Sequence, residues 1–153
     1  MQNNKIKRMD YDGKEYFNMK ILVIDGQGGQ LGGQIIKMLK GNFSEVDITA
    51  VGTNATATAT MLKAGASRGA TGENPVVVAC RKVDVIIGPI GIVIADAMLG
   101  EITPQMAVAV GQADATRILL PVNKCDNLVA GVTEGSMTAV IEDAILKLKN
   151  IFK

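Results

Sequence analysis

The sequence predicts one α/β domain of three layers, a mainly parallel sheet covered by helices on both faces. Three observations carry that expectation. From residue 19 onward, short apolar runs alternate with stretches whose apolar residues recur at helical spacing, the pattern of strand–crossover–strand units. The clearest of these runs, Lys20–Asp25, is nearly continuous in apolar residues, as a strand buried on both faces is. The runs also end in small or polar residues (Asp25-Gly26, Gly52-Thr53-Asn54, Gly88-Pro89 and Asn123-Lys124), which suits the carboxyl edge of an open sheet. With 153 residues, a single domain with a sizeable core is expected over 19–153.

Residues 1–18 hold both tyrosines and mixed charge without periodicity, and they read as an irregular or flexible arm. Lys20–Asp25, KILVID, is the first strand. In the helix after it, Leu31, Ile35, Met38 and Leu39 share a face while Gln34, Lys37 and Lys40 lie elsewhere, and Gly41-Asn42 ends it. Residues 46–51 form the second strand. The stretch NATATATMLKAGA alternates like a strand, but Met61-Leu62-Lys63 and Gly65 fit a helix. A crossover is needed here, so a helix capped by Thr53 or Asn54 is expected. A short third strand falls at Arg68–Thr71, and Asn74 caps a helix with Pro75 in its first turn.

Residues 83–87 form the fourth strand, ending in Gly88-Pro89-Ile90-Gly91. Residues 90–99 are expected to be helical, which would make Asp96 a buried carboxylate in need of a partner. Thr103-Pro104 starts a helix reaching Ala113, residues 117–122 give the fifth strand, and residues 128–132 a sixth. Thr133 starts the last helix, where Val140, Ile141, Ala144, Ile145 and Leu148 recur at helical spacing.

Composition excludes several classes of function. The net charge is +1 and the basic residues are scattered, which argues against a nucleic-acid partner. Aromatics make up 3%, too few for a base-stacking platform. The absence of histidine removes every Ser-His or Cys-His catalytic arrangement. The two cysteines, Cys80 and Cys125, lack metal-ligand spacing, so neither a metal site nor a disulfide framework is expected. Cys80 in VVVACRK reads as core; Cys125 in PVNKCDN lies where a nucleophile could meet a ligand, but no histidine is there to activate it. No secretory signal shows in 1–18, and the apolar run 85–95 is interrupted by Gly88, Pro89 and Gly91 and falls short of the roughly 20 residues a span requires. A cytoplasmic protein without membrane contact is expected.

The chemistry concentrates in VIDGQGGQLGG. Leu31 breaks G-x-G-x-x-G, but Gly26, Gly29 and Gly32 fit G-x-x-G-x-x-G between the first strand and the first helix. Glycines there let the backbone turn sharply, approach a pyrophosphate and pack the helix on the sheet, while the helix's free N–H groups face the anion. The candidate ligand-binding set is therefore Asp25, Gly26, Gln27, Gly28, Gly29, Gln30, Leu31 and Gly32, with Thr53, Asn54, Gly88 and Pro89 closing the cleft. A tight turn without a ligand is the other reading of the same glycines.

An acidic residue after the second strand would take the ribose hydroxyls of NAD. Gly52-Thr53-Asn54 stands there instead, which tilts the expected cofactor toward NADP or another ligand, with NAD beside it. Thr53 and Asn54 either bind a ribose or 2′-phosphate or simply cap the next helix. Asp25, if about 6 Å from a phosphate, would cost on the order of 3 kcal/mol at an effective dielectric near 20. It could instead accept the loop amides itself, making the motif structural, or hold a Mg²⁺. Tyr16 to Lys20 spells YxxxK, but across the arm and the first strand rather than on a late helix, so it reads as chance. No P-loop is present. No catalytic residue is assigned, and whether the protein is an enzyme stays open.

The G-x-x-G-x-x-G spacing, with GQLG at 29–32, resembles the nucleotide loop of extended short-chain dehydrogenases, sugar-nucleotide reductases among them. From Met19 onward, MKILVIDGQGGQLGGQI resembles an uncharacterised family of small bacterial proteins that share a DGQGG start motif. That likeness covers nearly all of the chain apart from the arm, and implies a cytoplasmic bacterial protein with a Rossmann-like fold and no stated activity. The function expected is nucleotide or dinucleotide binding. The alternative is a ligand-free or metabolite-sensing oligomer whose glycines serve only packing. Apolar helices around 90–99 and 106–110, on a domain with little interior left for them, predict a homo-oligomer, most simply a two-fold dimer.

Overall fold

The computed structural model describes residues 7–9, 15–17, 19–122, 126–133 and 135–151. Its centre is β3 (Lys20–Asp25), in which every residue after Lys20 is buried, as a continuous apolar run demands. To one side lie β4 (Asp47–Gly52) and β5 (Arg68–Thr71), to the other β6 (Val85–Pro89) and β7 (Thr116–Leu120). All neighbours pair parallel, in the order β5-β4-β3-β6-β7. The sheet is thus parallel and Rossmann-like, as the sequence predicts, and its order counted along the chain is 3-2-1-4-5. The β3–β4 register runs from Lys20↔Asp47 to Asp25↔Gly52, which sets Asp25 beside the Gly52-Thr53-Asn54 turn. Chain order reverses between β3 and β6, where open α/β sheets place their ligand crevice.

Helices α1 (Gln30–Asn42), α2 (Ala55–Lys63) and α5 (Met137–Ile151) cover one face, burying Ile35, Leu39, Met61, Ile145 and Leu148 against Ile21, Val23 and Ile87. The other face carries α3 (Glu73–Ala79) and α4 (Pro104–Gln112), with Val76, Met106 and Val110 on Leu22, Ile24 and Ile86. Each such side chain contributes about 1.5–3 kcal/mol by leaving water. Local chemistry starts the helices where expected. Asn54 accepts from Ala57 N–H at the head of α2, and Thr103 from Met106 N–H at the head of α4 with Pro104 in its first turn. Arg117 Nη1 donates to Ala113 O at 2.8 Å, closing the carboxyl end of α4 with a positive charge.

Several elements differ from expectation. Residues 90–99 are not an α-helix: a single 3₁₀ turn, Ile90–Val93, is followed by successive turns. The reason is backbone handedness, since Asp96, Met98 and Leu99 have φ of 65°, 56° and 56°, and Gly100 87°. Asp96 is exposed in that turn, not a buried carboxylate. Residues 128–132 form no strand; α5 starts at Met137, not Thr133, with Ala139 N–H bonded to Ser136 Oγ. Gly72, not Asn74, precedes α3, and Asn74-Pro75 fall inside its first turn. Cys125, Asn123 and Lys124 lie outside the described residues. Ahead of the domain, where an irregular arm is expected, β1 (Lys7–Met9) and β2 (Glu15–Phe17) pair as an antiparallel ribbon. Among the described residues no helix is long and apolar enough to cross a membrane.

Candidate functional site

The site grows from the last residue of β3. Asp25 is 5% exposed, yet both of its oxygens are used: Oδ1 accepts from Gly26 N–H at 2.8 Å and Oδ2 from Gly32 N–H at 2.7 Å. Between them the loop closes on itself, Gly29 N–H reaching Gly26 O and Gly33 N–H reaching Gly29 O, both at 2.9 Å. The residue heading α1 is Gly29, which has no side chain to cap the helix. Asp25 supplies the missing cap from the strand, and its charge suits the positive end of the helix. Burial pushes the Asp25 carboxyl above its ordinary 3.8; the Gly32 and Gly26 amides pull it back, and the charge of Glu101 pushes it up again.

The glycines have reasons inside the protein. Gly29 sits at φ 73°, and a Cβ there would stand 2.7 Å from Ala57 Cα and O, so α1 and α2 meet at this point. A Cβ on Gly32 would lie 2.5 Å from Met61 Sδ and 2.9 Å from Asp25 Cβ. Above Gly26 the space is filled by Met98 Sδ and Thr53 Oγ1, each under 3 Å from where a Cβ would be, at 2.7 and 2.8 Å. Gly88 and Pro89 are buried, with Gly88 pressed against Ile24 O and Ile92.

The residue that sequence reasoning missed is Glu101. It comes from the turn after β6 and places its carboxylate over the glycine loop at the tip of β4. Oε1 accepts from Thr53 Oγ1 at 2.8 Å, from Asn54 Nδ2 at 2.6 Å and from Gln27 N–H at 3.1 Å, while Oε2 shares that last donor at 3.2 Å. Burial opposes its charge, but the bonds from Asn54, Thr53 and Gln27 outweigh burial and hold its carboxyl below the ordinary 4.5. Glu101 lies 48 positions beyond Thr53, so no spacing rule ties the two. The one signal in the sequence is a deficit, two side-chain donors, Thr53 and Asn54, at the second strand's tip with no acid in that turn to receive them.

The structure therefore brings Asp25, Gly26, Gln27, Thr53 and Asn54 together, and it satisfies the Gly26, Gln27 and Thr53 amides and the Thr53 and Asn54 side-chain donors internally. Among the described residues the amides of Gly28, Gln30 and Leu31 find no acceptor, and Gly28 and Gln30 are exposed. A groove of about 460 Å³ runs from Gln30 between α1 and α2, flanked by Lys37 and Lys63. A second groove of about 460 Å³ lies farther along the carboxyl edge, between Ile90, Leu119, Pro121 and Val140. No group of three or more candidate metal ligands occurs among the described residues. Cys80 is buried core, its thiol pushed up to about 11 by burial despite Arg117, and so is unsuited to nucleophilic work.

Residues 20–153 match the model of a domain of unknown function, DUF3842, and the chain belongs to that family. The expectation of an uncharacterised family holds at that level. No curated protein matches the chain.

Proposed function

We propose that this member of a family without an assigned role binds the phosphate of a nucleotide or dinucleotide at the start of α1. The observation that carries the reading is the set of unclaimed amides on Gly28, Gln30 and Leu31, in a loop whose other donors are already satisfied. Asp25 holds Gly26 and Gly32, the two ends of the loop, and so fixes its shape in advance. First-turn N–H groups and the helix dipole favour an anion there, and Lys37 and Lys63 add positive charge along the adjoining groove. The loop also opens the sheet at the reversal of strand order. With no catalytic group to assign, the proposal is binding and not a reaction.

A second reading has its own support. Asp25 and Glu101 already occupy three of the loop amides, which favours a motif built for packing in a ligand-free protein. Thermal denaturation with NAD⁺, NADP⁺, FAD, ATP and coenzyme A separates the two. Binding at a hundredfold excess over Kd stabilises by about 2.7 kcal/mol, a rise in Tm on the order of 8 °C for a domain of this size. An unchanged Tm across the whole panel removes the binding proposal and leaves the packing one.

A further inference from the structure

We propose that Glu101 sets the ligand class at this site, accepting the free hydroxyls of a ribose and excluding a 2′-phosphate. The inference rests on the nucleotide-binding reading above and specifies it. A parallel sheet of this order puts the sugar beside the tip of its second strand, which here is β4. An acceptor is required there for hydroxyl donors, and the strand's own turn supplies only Gly52, Thr53 and Asn54.

Glu101 fills that role from another part of the chain. Thr53, Asn54 and the Gln27 amide all converge on Oε1, so the carboxylate is fixed in place. Among the described residues Oε2 receives only the shared Gln27 amide, at 3.2 Å, and keeps accepting capacity for a diol. The residues that a 2′-phosphate would need as donors, Thr53 and Asn54, are the ones committed to Glu101. A phosphate would therefore meet a like charge and find its donors taken, whereas hydroxyls would meet an oriented acceptor. The absence of an acid after the second strand tilts the sequence reading toward NADP; Glu101 reverses that tilt.

The test compares NAD⁺ with NADP⁺, and 5′-AMP with adenosine 2′,5′-bisphosphate, by calorimetry on the wild type and on Glu101→Gln. Glutamine keeps the shape and removes the charge. The wild type is expected to prefer the ligand without the 2′-phosphate by about tenfold or more, and Glu101→Gln to narrow the ratio to within about threefold. Thr53→Val serves as a second variant: it frees one bond to Oε1 while keeping the charge, so the preference should weaken without inverting. Equal or tighter binding of the 2′-phosphorylated ligands by the wild type overturns the inference, as does a preference unchanged in Glu101→Gln; either leaves the loop's binding role standing. No binding of any of the four ligands by either protein overturns this inference, and the binding role falls with it only if FAD, ATP and coenzyme A also leave Tm unchanged.

Discussion

At Asp25 two backbone donors depend on one buried carboxylate, those of Gly26 and Gly32. Asp25→Ala leaves both unpaired, and at roughly 1–3 kcal/mol per buried orphan the loss should come to about 2–6 kcal/mol in a urea titration. Asp25→Asn keeps one acceptor and turns an NH₂ toward the other amide, so about 2 kcal/mol is expected; a neutral result would mean the carboxylate does not span the loop. The two acids also pull the pH dependence in opposite directions. Asp25 is raised from 3.8, so its contribution is greatest below that value and declines as pH rises through its folded pKa. Glu101 is lowered from 4.5, so its contribution is complete above 4.5 and disappears as pH falls through its folded pKa. The stability difference between wild type and Glu101→Gln should therefore shrink on acidification below 4.5; a difference independent of pH would show that Thr53, Asn54 and Gln27 do not hold the charged form.

Among the elements, the glycine loop and the turn after β6 respond to substitution for different reasons. Gly29→Ala asks a left-handed residue to carry a Cβ and drives that Cβ into the Ala57 backbone, so it should cost well over the roughly 1–2 kcal/mol of handedness alone. Gly100→Ala meets nothing within 4 Å and should cost only that term. At Leu99, fully exposed with φ 56°, replacement by Gly relieves the strain and should leave stability unchanged or raise it by about 1 kcal/mol on chemical denaturation. A clear loss would mean that Leu99 is covered in solution. These contrasts also show what could be read in the sequence. The central strands β3 and β6 are legible because burial on both faces leaves a continuous apolar signature, and the heads of α2 and α4 because Asn54 and Thr103-Pro104 cap chemically. Residues 90–102 are not, because Ile92, Ala97, Met98 and Ile102 are apolar for packing on Leu22, Ile24 and Val51, not for helical periodicity. That misreading also concealed Glu101, whose position over β4 follows from the path of the turn and from no local pattern.

For the molecule as a whole, the same segment changes the argument for self-association. The expected dimer rested on apolar helices at 90–99 and 106–110 lacking an interior to fill. Ile92, Met98, Ile102, Met106 and Val110 are in fact buried within one chain, on the β3–β4–β6 face. That side leaves to water Leu99, fully exposed in the turn after β6, Val78 on α3 at 45% exposed and Val108 on α4 at 53%, α3 and α4 packing against each other. A two-fold dimer remains our proposal, now centred on α3 and α4, since exposed valines on two adjoining helices can seed an isologous patch. Light scattering should then give twice the 16.1 kDa chain mass, and Val108→Glu should return it to one chain. Because Val108 is exposed in the single chain, the substitution should alter the monomer's own stability by no more than about 0.5 kcal/mol, so a loss of mass without a loss of fold is the informative result. A wild-type mass of one chain ends the dimer proposal, and it would leave the candidate site intact, since Asp25, the glycine loop, Thr53, Asn54 and Glu101 all come from a single chain.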